Sequence, residues 1–327
     1  MIEVIPKVVV SRCIEFDKVR YDGQLIKNDF VERLKPFVDF IPVCPEVEIG
    51  LSIPRESLRI VTNKTGLRLF QPKTGLDLTD KMKKFIDFFF SSIPEVDGFI
   101  LKNRSPTSAI KDAKIYSSEK RGASIISKGP GLFGKEVLKR FEHLAVEDDG
   151  RLRNPRIREH FLTKLYAISR LRNVSSLNSF KNLVDFHTKN KLLLKVYSQK
   201  NMRILGRVMA NTEKKSLTDL ITSYEKYFFE AFKRPPRYVS NINVLMNSMG
   251  YFSDRLSKEE KAFFLNSIEA YKKGNMHLGV LQNMMKLWII RFKEEYLLQQ
   301  TYFEPYPKEL VDIEKYSTHY DQRNYWN

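Results

Sequence analysis

The apolar pattern of the chain changes near its middle, and this change limits the folds that the chain can adopt. From residue 6 to about residue 116, short β-rich runs alternate with helical stretches. Residues 7–11 and 40–43 predict buried strands, and residues 28–37 predict a helix between them, capped by Asn28 or Asp29. This alternation predicts an α/β domain with a mostly parallel sheet.

The remainder of this half continues the same alternation. Residues 58–62 and 68–71 predict a short antiparallel pair around a turn at 63–66. A helix is predicted from residues 78–80 to about residue 92, and the apolar run 98–102 predicts a further strand. All of these elements are assigned to the α/β domain.

Beyond Gly150 the pattern is that of amphipathic helices with few β-branched runs, which predicts an all-α helical domain. The predicted helices cover residues 157–171, 177–188, 201–210, 216–232, 239–250, 258–273 and 278–299. A polar stretch at 147–155 separates the two patterns and is typical of a domain boundary. We therefore predict two domains, 1–150 and 151–327, each long enough for a core of its own.

The composition restricts the cellular setting. The two cysteines are too few for a disulfide framework and lack the short spacing of zinc sites, which predicts a reducing, cytoplasmic location. Residues 1–7 carry no basic flank before a long apolar core, so no signal peptide is expected. The longest apolar runs, 85–93 and 287–292, are too short for a bilayer, so no membrane span is expected.

Three polar segments follow predicted strands. Cys13 follows the first strand, Cys44 follows the second, and residues 105–108 follow the strand that ends at Lys102. Because loops at the carboxyl ends of parallel strands converge, we expect these segments to share one site. Two thiols brought together in this way suit a soft metal, an iron–sulfur cluster, or redox or nucleophilic chemistry. Two unreactive structural cysteines are the alternative.

Polar residues near these thiols extend the candidate site. Glu46 lies two residues beyond Cys44 in a predicted turn, where a buried carboxyl group can act as a general acid or base. A solvated loop glutamate would have the same sequence. Arg20, Tyr21 and Asp22 bring a cation, a phenol and an acid into one turn, which suits the binding of a polar ring or an anion. A turn closed by a salt bridge is the alternative.

Motifs in both halves resemble known families. The first half resembles the TudS-like thiouracil desulfidase domain in residues 10–13, 19–23, 43–51 with 54–55, and 98–106. The second half resembles the YbgA-like helical domain in residues 186–194, 205–211, 243–245, 250–252 and 305–310. These motifs are spread over nearly the whole chain.

The desulfidase resemblance implies a cofactor, a substrate class and residue roles. In that family three cysteines hold a four-iron, four-sulfur cluster, and the remaining iron takes sulfur from a thiocarbonyl base while activated water attacks the carbon. It implies that Cys13 and Cys44 are two of the ligands, that Glu46 is the acid and that Ser105 lies near the substrate. The implied substrate is a small thiolated pyrimidine.

The loop expected to supply the third ligand departs from the family pattern. The family motif is Ser-Pro-Ser-Cys-Gly, whereas residues 105–109 are Ser-Pro-Thr-Ser-Ala, so Ser108 occupies the cysteine position. A serine hydroxyl is a harder and less acidic ligand than a thiol, so cluster affinity should fall. Natural loss of the cluster, a deliberate substitution, and serine or water ligation of an altered cluster all remain open.

The helical half departs from its family as well. Asn241 and Asn247 flank the Asn-Val-Leu motif, near which that family usually has histidines. His187 is a candidate site residue or a structural histidine.

Two main hypotheses for the function follow. The first is a desulfidase-like enzyme, or its weakened or inactive descendant, and a separate, third hypothesis is that Cys13 and Cys44 bind a lone metal ion or form a redox pair. The second is a non-catalytic protein that binds nucleic acid or another polyanion, since the formal charge is +17. That charge is equally compatible with thermal or ionic adaptation, and the basic residues concerned are also typical of a solvated helix face: Lys189, Lys191, Lys195, Lys200, Arg203 and Arg207.

Overall fold

A computed structural model describes residues 4–63, 66–120 and 122–311 of the chain. These residues form two compact units, one of residues 5–165 with 306–311 and one of residues 166–305 with Val4. Residues 1–3, which belong to the segment where no signal peptide is expected, lie outside the described ranges. Residues 64 and 65 of the turn predicted at 63–66 also lie outside them. The domain limits 1–150 and 151–327 stay a prediction.

The first unit contains every strand of the described residues. The strands, in chain order, are β1 (Lys7–Ser11), β2 (Asp39–Val43), β3 (Arg59–Asn63), β4 (Gly66–Gln71), β5 (Leu76–Asp77), β6 (Gly98–Leu101), β7 (Ala113–Tyr116), β8 (Ile125–Gly129) and β9 (Ala145–Asp148).

Sheet A is a parallel sheet of four strands in the order β2-β1-β6-β9. Val8 of β1 is opposite Phe40 on one side and Gly98 on the other. Val8 and Val9 are fully buried, as expected for a central strand of a parallel sheet, whose two faces are both covered. The predicted α/β class with a mostly parallel sheet is confirmed.

Sheet B is a mixed sheet in the order β5-β4-β3-β7-β8. β3 and β4 are antiparallel, which confirms the predicted pair, and β3 runs parallel to β7. The sequence analysis did not predict β7, β8 or β9. β8 was not predicted because its sequence shows no alternation of apolar and polar residues. It lies at the edge of the sheet, where the consecutive side chains of Ile125 and Ile126 are both exposed.

The helices occur in both units. In chain order they are α1 (Asp29–Leu34), α2 (Pro45–Glu48), α3 (Thr79–Ser92), α4 (Leu132–Phe141), α5 (Pro155–Ser176), α6 (Phe180–Lys189), α7 (Lys191–Tyr197), α8 (Gln199–Ala210), α9 (Leu217–Ala231), α10 (Tyr238–Gly250), α11 (Lys258–Lys272), α12 (Leu278–Phe292) and α13 (Glu295–Leu298), with short 3-10 helices at Lys35–Phe37, Arg151–Arg153, Thr301–Phe303 and Lys308–Leu310.

The second unit is built of helices in the residues described, which confirms the predicted all-α region. Several of these helices begin where a serine side chain accepts a hydrogen bond from the backbone of the first turn. The serines concerned are Ser179, Ser198, Ser216 and Ser257. The core is aromatic and includes Tyr224, Phe228 and Phe264, all fully buried.

Two details of the helical half differ from the predictions. α7 was not predicted, because Leu192, Leu193 and Leu194 are all buried and give no helical period. The predicted helix 278–299 ends at Phe292, since Lys293 adopts a left-handed conformation, and α13 begins after the break. Among the helices described, none has the length and apolar character needed to cross a membrane.

Candidate active site

One cavity of about 730 Å³ lies at the carboxyl ends of the strands of sheet A, within the first unit. Segments after β1, β2, β6 and β9 all contribute to its lining. Of the candidate site residues, those that line it are Arg20, Tyr21, Cys13, Cys44, Glu46, Ser105 and Ser108. The structure therefore brings the two thiols and the serine loop to the same cavity, as the strand order predicts.

Cys13 lies in the turn after β1. Burial raises the pKa of its thiol to about 12, and the nearby Cys44 thiol acts in the same direction. The ammonium group of Lys102 acts in the opposite direction. With no metal bound, the thiol is therefore protonated near neutral pH.

Cys44 is the residue before the first turn of α2, so the prediction that Cys44 to Glu46 form a turn is wrong. Pro45 begins this short helix, where its missing N–H removes no hydrogen bond. The buried Sγ of Cys44 lies 3.9 Å from Nη2 of Arg55 and 3.9 Å from the carbonyl oxygen of Val19. Burial raises the pKa of this thiol, although the Val47 N–H and Arg55 partly oppose the increase.

Glu46 is buried and ion-paired. Its Oε2 accepts hydrogen bonds from Nε of Arg55 at 2.7 Å and lies 2.6 Å from Nη2 of the same guanidinium. The Arg55 side chain is only 4% exposed, and its Nη1 donates to the carbonyl oxygen of Val19. The other oxygen, Oε1, accepts from the Thr107 hydroxyl at 3.0 Å. Both carboxylate oxygens of Glu46 are therefore held in place.

The loop after β6 carries a cluster of hydroxyl groups. Oγ of Ser105 lies 2.9 Å from Oγ1 of Thr107 and accepts from the backbone N–H groups of Thr107 and Ser108. Oγ of Ser108 lies 3.4 Å from the Thr107 hydroxyl. Thr107 and Ser108 are buried, whereas Ser105 is partly exposed.

The N-terminal end of α4 supports this loop through two glycines. Gly131 and Gly134 donate backbone hydrogen bonds to the carbonyl oxygens of Ala109 and Thr107 respectively. A Cβ atom at Gly131 would lie 2.4 Å from the Thr107 carbonyl oxygen, and one at Gly134 would lie 2.2 Å from the Ala109 carbonyl oxygen. Only glycine allows the two segments to approach so closely.

The end of β9 closes another side of the cavity. Oδ2 of Asp149 pairs with Nζ of Lys102 at 2.7 Å, and its Oδ1 accepts from the backbone of Asn103. Asp148 accepts from the Arg151 backbone, and burial raises the pKa of its carboxyl group. The polar stretch 147–155, which was predicted to be a domain boundary, thus includes residues that line the cavity.

The turn at residues 20–22 lies at the cavity only in part. Arg20 and Tyr21 line it, and the Arg20 guanidinium stacks 5.1 Å from the centre of the Tyr21 ring. Asp22 is outside the lining and pairs with Nη1 of Arg20 at 3.2 Å. Asp22 is therefore placed to orient Arg20.

Sequence analysis assigned no role to Arg55, Thr107, Lys102 or Asp149. Arg55 belongs to a motif that carries the family resemblance. Thr107 belongs to the loop of residues 105–109, whose sequence differs from the family motif. Glu46 lies 61 residues from Thr107 and Asp149 lies 47 residues from Lys102, and no local pattern identifies such pairings.

The donors at the cavity do not fit a cluster held by three thiolates. They are the Cys13 and Cys44 thiols and, at the third position, the hydroxyl of Ser108. Within the described ranges, no group of three His, Cys, Asp or Glu side chains is arranged to hold a metal ion.

Candidate residues of the helical half have structural partners. Nδ1 of His187 lies 3.1 Å from the hydroxyl of buried Tyr224, and burial lowers the pKa of His187 to about 4. Oδ1 of Asn241 accepts from the hydroxyl of Tyr302. This arrangement favours the structural interpretation of His187.

Several of the basic residues named for the second half have identified surroundings. Lys189 pairs with Asp185 at 2.6 Å. Lys191, Lys195 and Arg203 line a cavity of about 360 Å³ within the second unit, as does Asn247.

Comparisons with known proteins match both halves. Residues 8–149 match the family described as 2-thiouracil desulfurase, and residues 191–307 match a family described as a protein of unknown function, DUF1722. The chain is 25% identical to the uncharacterized protein YbgA of Escherichia coli strain K12 over 149 residues, which are 45% of this chain and 88% of YbgA. A solved structure, [4Fe-4S]-dependent thiouracil desulfidase TudS, has 24% identity and a TM-score of 0.36, with 45% of this chain and 93% of that chain covered.

Proposed function

The chain joins a 2-thiouracil desulfurase-like region to a YbgA-like region, and on this basis we propose that it is a desulfidase-like protein that acts on a thiolated pyrimidine or a related thiocarbonyl compound. The observation that carries the proposal is the shared cavity. Cys13, Cys44 and the Ser105 loop line it within the matched region.

The side chains of the cavity suit such a ligand. Glu46 is a buried carboxylate of the kind that serves in general acid–base catalysis, and Ser105 presents a partly exposed hydroxyl at the same cavity. Arg20 and Tyr21 offer a cation and a ring at the cavity for a polar heterocycle. In this proposal Glu46 and Ser105 are catalytic, whereas Arg20, Tyr21 and Asp22 bind or orient the ligand.

The cofactor that the sequence resemblance implies is a four-iron, four-sulfur cluster, with Cys13, Cys44 and the residue at position 108 as its ligands. Since Ser108 supplies a hydroxyl, we expect the native chain to load little cluster and to have weak or no desulfidase activity.

Replacing Ser108 with cysteine tests this proposal. After purification without oxygen, we expect little iron and acid-labile sulfide in the native chain and distinctly more in Ser108→Cys, because the third thiolate is restored. Release of sulfide from 2-thiouracil should rise in parallel.

Ser267→Cys is the matched control, since Ser267 is a buried serine of α11 in the second unit. It adds a third thiol that does not line the cavity and should leave the iron content unchanged. Equal, near-zero iron in the native chain and Ser108→Cys would show that the cavity is not a cluster site.

The comparisons give no support to the nucleic-acid-binding alternative. Among the basic residues on which it rested, Lys189 is engaged with Asp185.

A further inference from the structure

The two cysteines follow neighbouring strands of sheet A. β1 and β2 are parallel, with Ser11 opposite Val43, and the backbone N–H of Arg12 donates to the carbonyl oxygen of Val43 at 2.8 Å. Cys44 directly follows Val43, and Cys13 is the second residue after Ser11. Neighbouring strands are about 4.8 Å apart. Both thiols line the same cavity and interact electrostatically, so they form a close pair.

Oxygen donors at the same cavity are held by other groups. Oε2 of Glu46 receives Nε and Nη2 of Arg55 at 2.7 and 2.6 Å, and its Oε1 accepts from the Thr107 hydroxyl. Oγ of Ser105 accepts two backbone N–H groups. In the part of the chain that the structure describes, no third His, Cys, Asp or Glu side chain completes a larger ligand set with the thiols. A metal ion here therefore finds two sulfur donors.

Arg55 supplies a positive group to this pair of thiols. Its Nη2 donates to Sγ of Cys44 at 3.9 Å, and its side chain is only 4% exposed. When a monovalent ion replaces both thiol protons, two thiolates and one cation leave a net negative charge. Hydrogen bonds to ligand atoms from the surrounding protein stabilise such charge and orient the ligands.

The number and softness of the donors select the ion. Thiolates favour Cu(I), zinc and iron–sulfur clusters. Structural zinc is almost always four-coordinate, and the cluster of the resembled family takes three cysteines, so two thiols satisfy neither. Cu(I) is a soft ion with a closed d shell, and two thiolates in a line satisfy it. The hydroxyl of Ser108, the remaining oxygen at the third position, is a hard donor that such an ion does not need.

We propose that Cys13 and Cys44 form a two-sulfur binding site for one Cu(I) ion. Copper forms a bond with each Sγ, both S–H bonds break, and the two protons pass to solvent. No electron is transferred, since copper enters and remains as Cu(I). The inference does not rest on desulfidase activity, because its premise is the presence of two cysteines where a cluster needs three.

Competition with bicinchoninate under nitrogen tests the site, because this chelator forms a coloured complex with Cu(I). We expect the native chain to take one Cu(I) from the chelator. Cys13→Ser and Cys44→Ser should each lower the affinity at least about a hundredfold, the upper end of the loss produced by removing a group that only supports a ligand. X-ray absorption of the native complex should show two sulfur neighbours at copper.

The matched control is the double variant Cys44→Ser with Ser267→Cys. It keeps two thiols in the chain but only one at the cavity, since Ser267 is buried in α11 and does not line it. This variant should bind Cu(I) as weakly as Cys44→Ser does. An excess of zinc chloride should not displace copper from the native chain.

Three results would overturn the inference: no copper taken by the native chain, native affinity in Cys44→Ser or the double variant, or a number of sulfur neighbours other than two. Circular dichroism reports whether each variant folds. Should Cys44→Ser not fold, Cys13→Ser and the X-ray absorption of the native complex decide the matter. Iron and sulfide are measured without added copper, so each proposal can fail while the other stands.

Discussion

Single residues line the cavity, and some of their partners come from distant parts of the chain. Glu46 is held by Arg55 on one oxygen and by Thr107, 61 residues away, on the other. Ser108 is the residue that separates this chain from the three-cysteine pattern. The resemblance identified Glu46 and Ser105 but assigned no role to the side chains that fix them.

A single histidine should make the stability of the helical unit depend on pH. Burial, assisted by Lys191, lowers the pKa of His187 from 6.5 to about 4 in the folded protein. Between these values the unfolded chain binds more protons, so this contribution to stability is present above pH 6.5 and is lost as the pH falls towards 4. Urea unfolding at several pH values measures it.

We expect His187→Gln to reduce this dependence, because the group that the unfolded chain protonates in this range is then absent. A dependence that persists fully in His187→Gln would show that other groups cause it.

At the scale of elements, the N-terminal end of α4 fixes the position of the serine loop. Alanine at Gly134 would place a Cβ atom 2.2 Å from the Ala109 carbonyl oxygen. We expect Gly134→Ala to lower the free energy of unfolding by about 2 kcal/mol through this overlap, although alanine favours helices. Chemical denaturation measures the loss.

Gly206→Ala is the matched control, because Gly206 lies inside α8 and has nothing within 4 Å of an added Cβ atom. There the substitution should raise stability by about 1 kcal/mol. A stabilising effect at both positions would mean that the loop and α4 are not in close contact.

Elements with a clear period or with a short apolar run between turns were predicted from sequence, and some others were not. β1 and β2 were predicted from short apolar runs, and α3 from its amphipathic pattern. α7 and β8 were not, because the first is buried on successive residues and the second is exposed on successive residues. Neither element shows the alternation of buried and exposed residues that distinguishes a helix from a strand in the sequence.

At the scale of the whole molecule, the formal charge of +17 should affect stability. Mutual repulsion of unpaired cations opposes the compact state, and salt screens it over a Debye length of about 10 Å at 0.1 M. We expect the melting temperature to rise by about 3 °C between 0.02 and 0.3 M sodium chloride, the shift that roughly 1 kcal/mol produces. Differential scanning calorimetry measures it.

Potassium chloride at the same concentrations is the control, because screening does not distinguish the two cations. A melting temperature that falls with salt would instead show that attractive surface pairs such as that of Lys286 with Glu304 outweigh the repulsion.

The sequence by itself determined the α/β and all-α halves and the convergence of Cys13, Cys44 and the Ser105 loop, because parallel strands place their carboxyl ends at one edge. The tertiary structure alone decided that Arg55 and Thr107 hold Glu46 and that Gly131 and Gly134 support the loop. Most of these contacts join residues far apart in the chain, although Arg55 and Glu46 are only 9 residues apart, and all of them depend on distances of a few ångströms that no periodic pattern encodes.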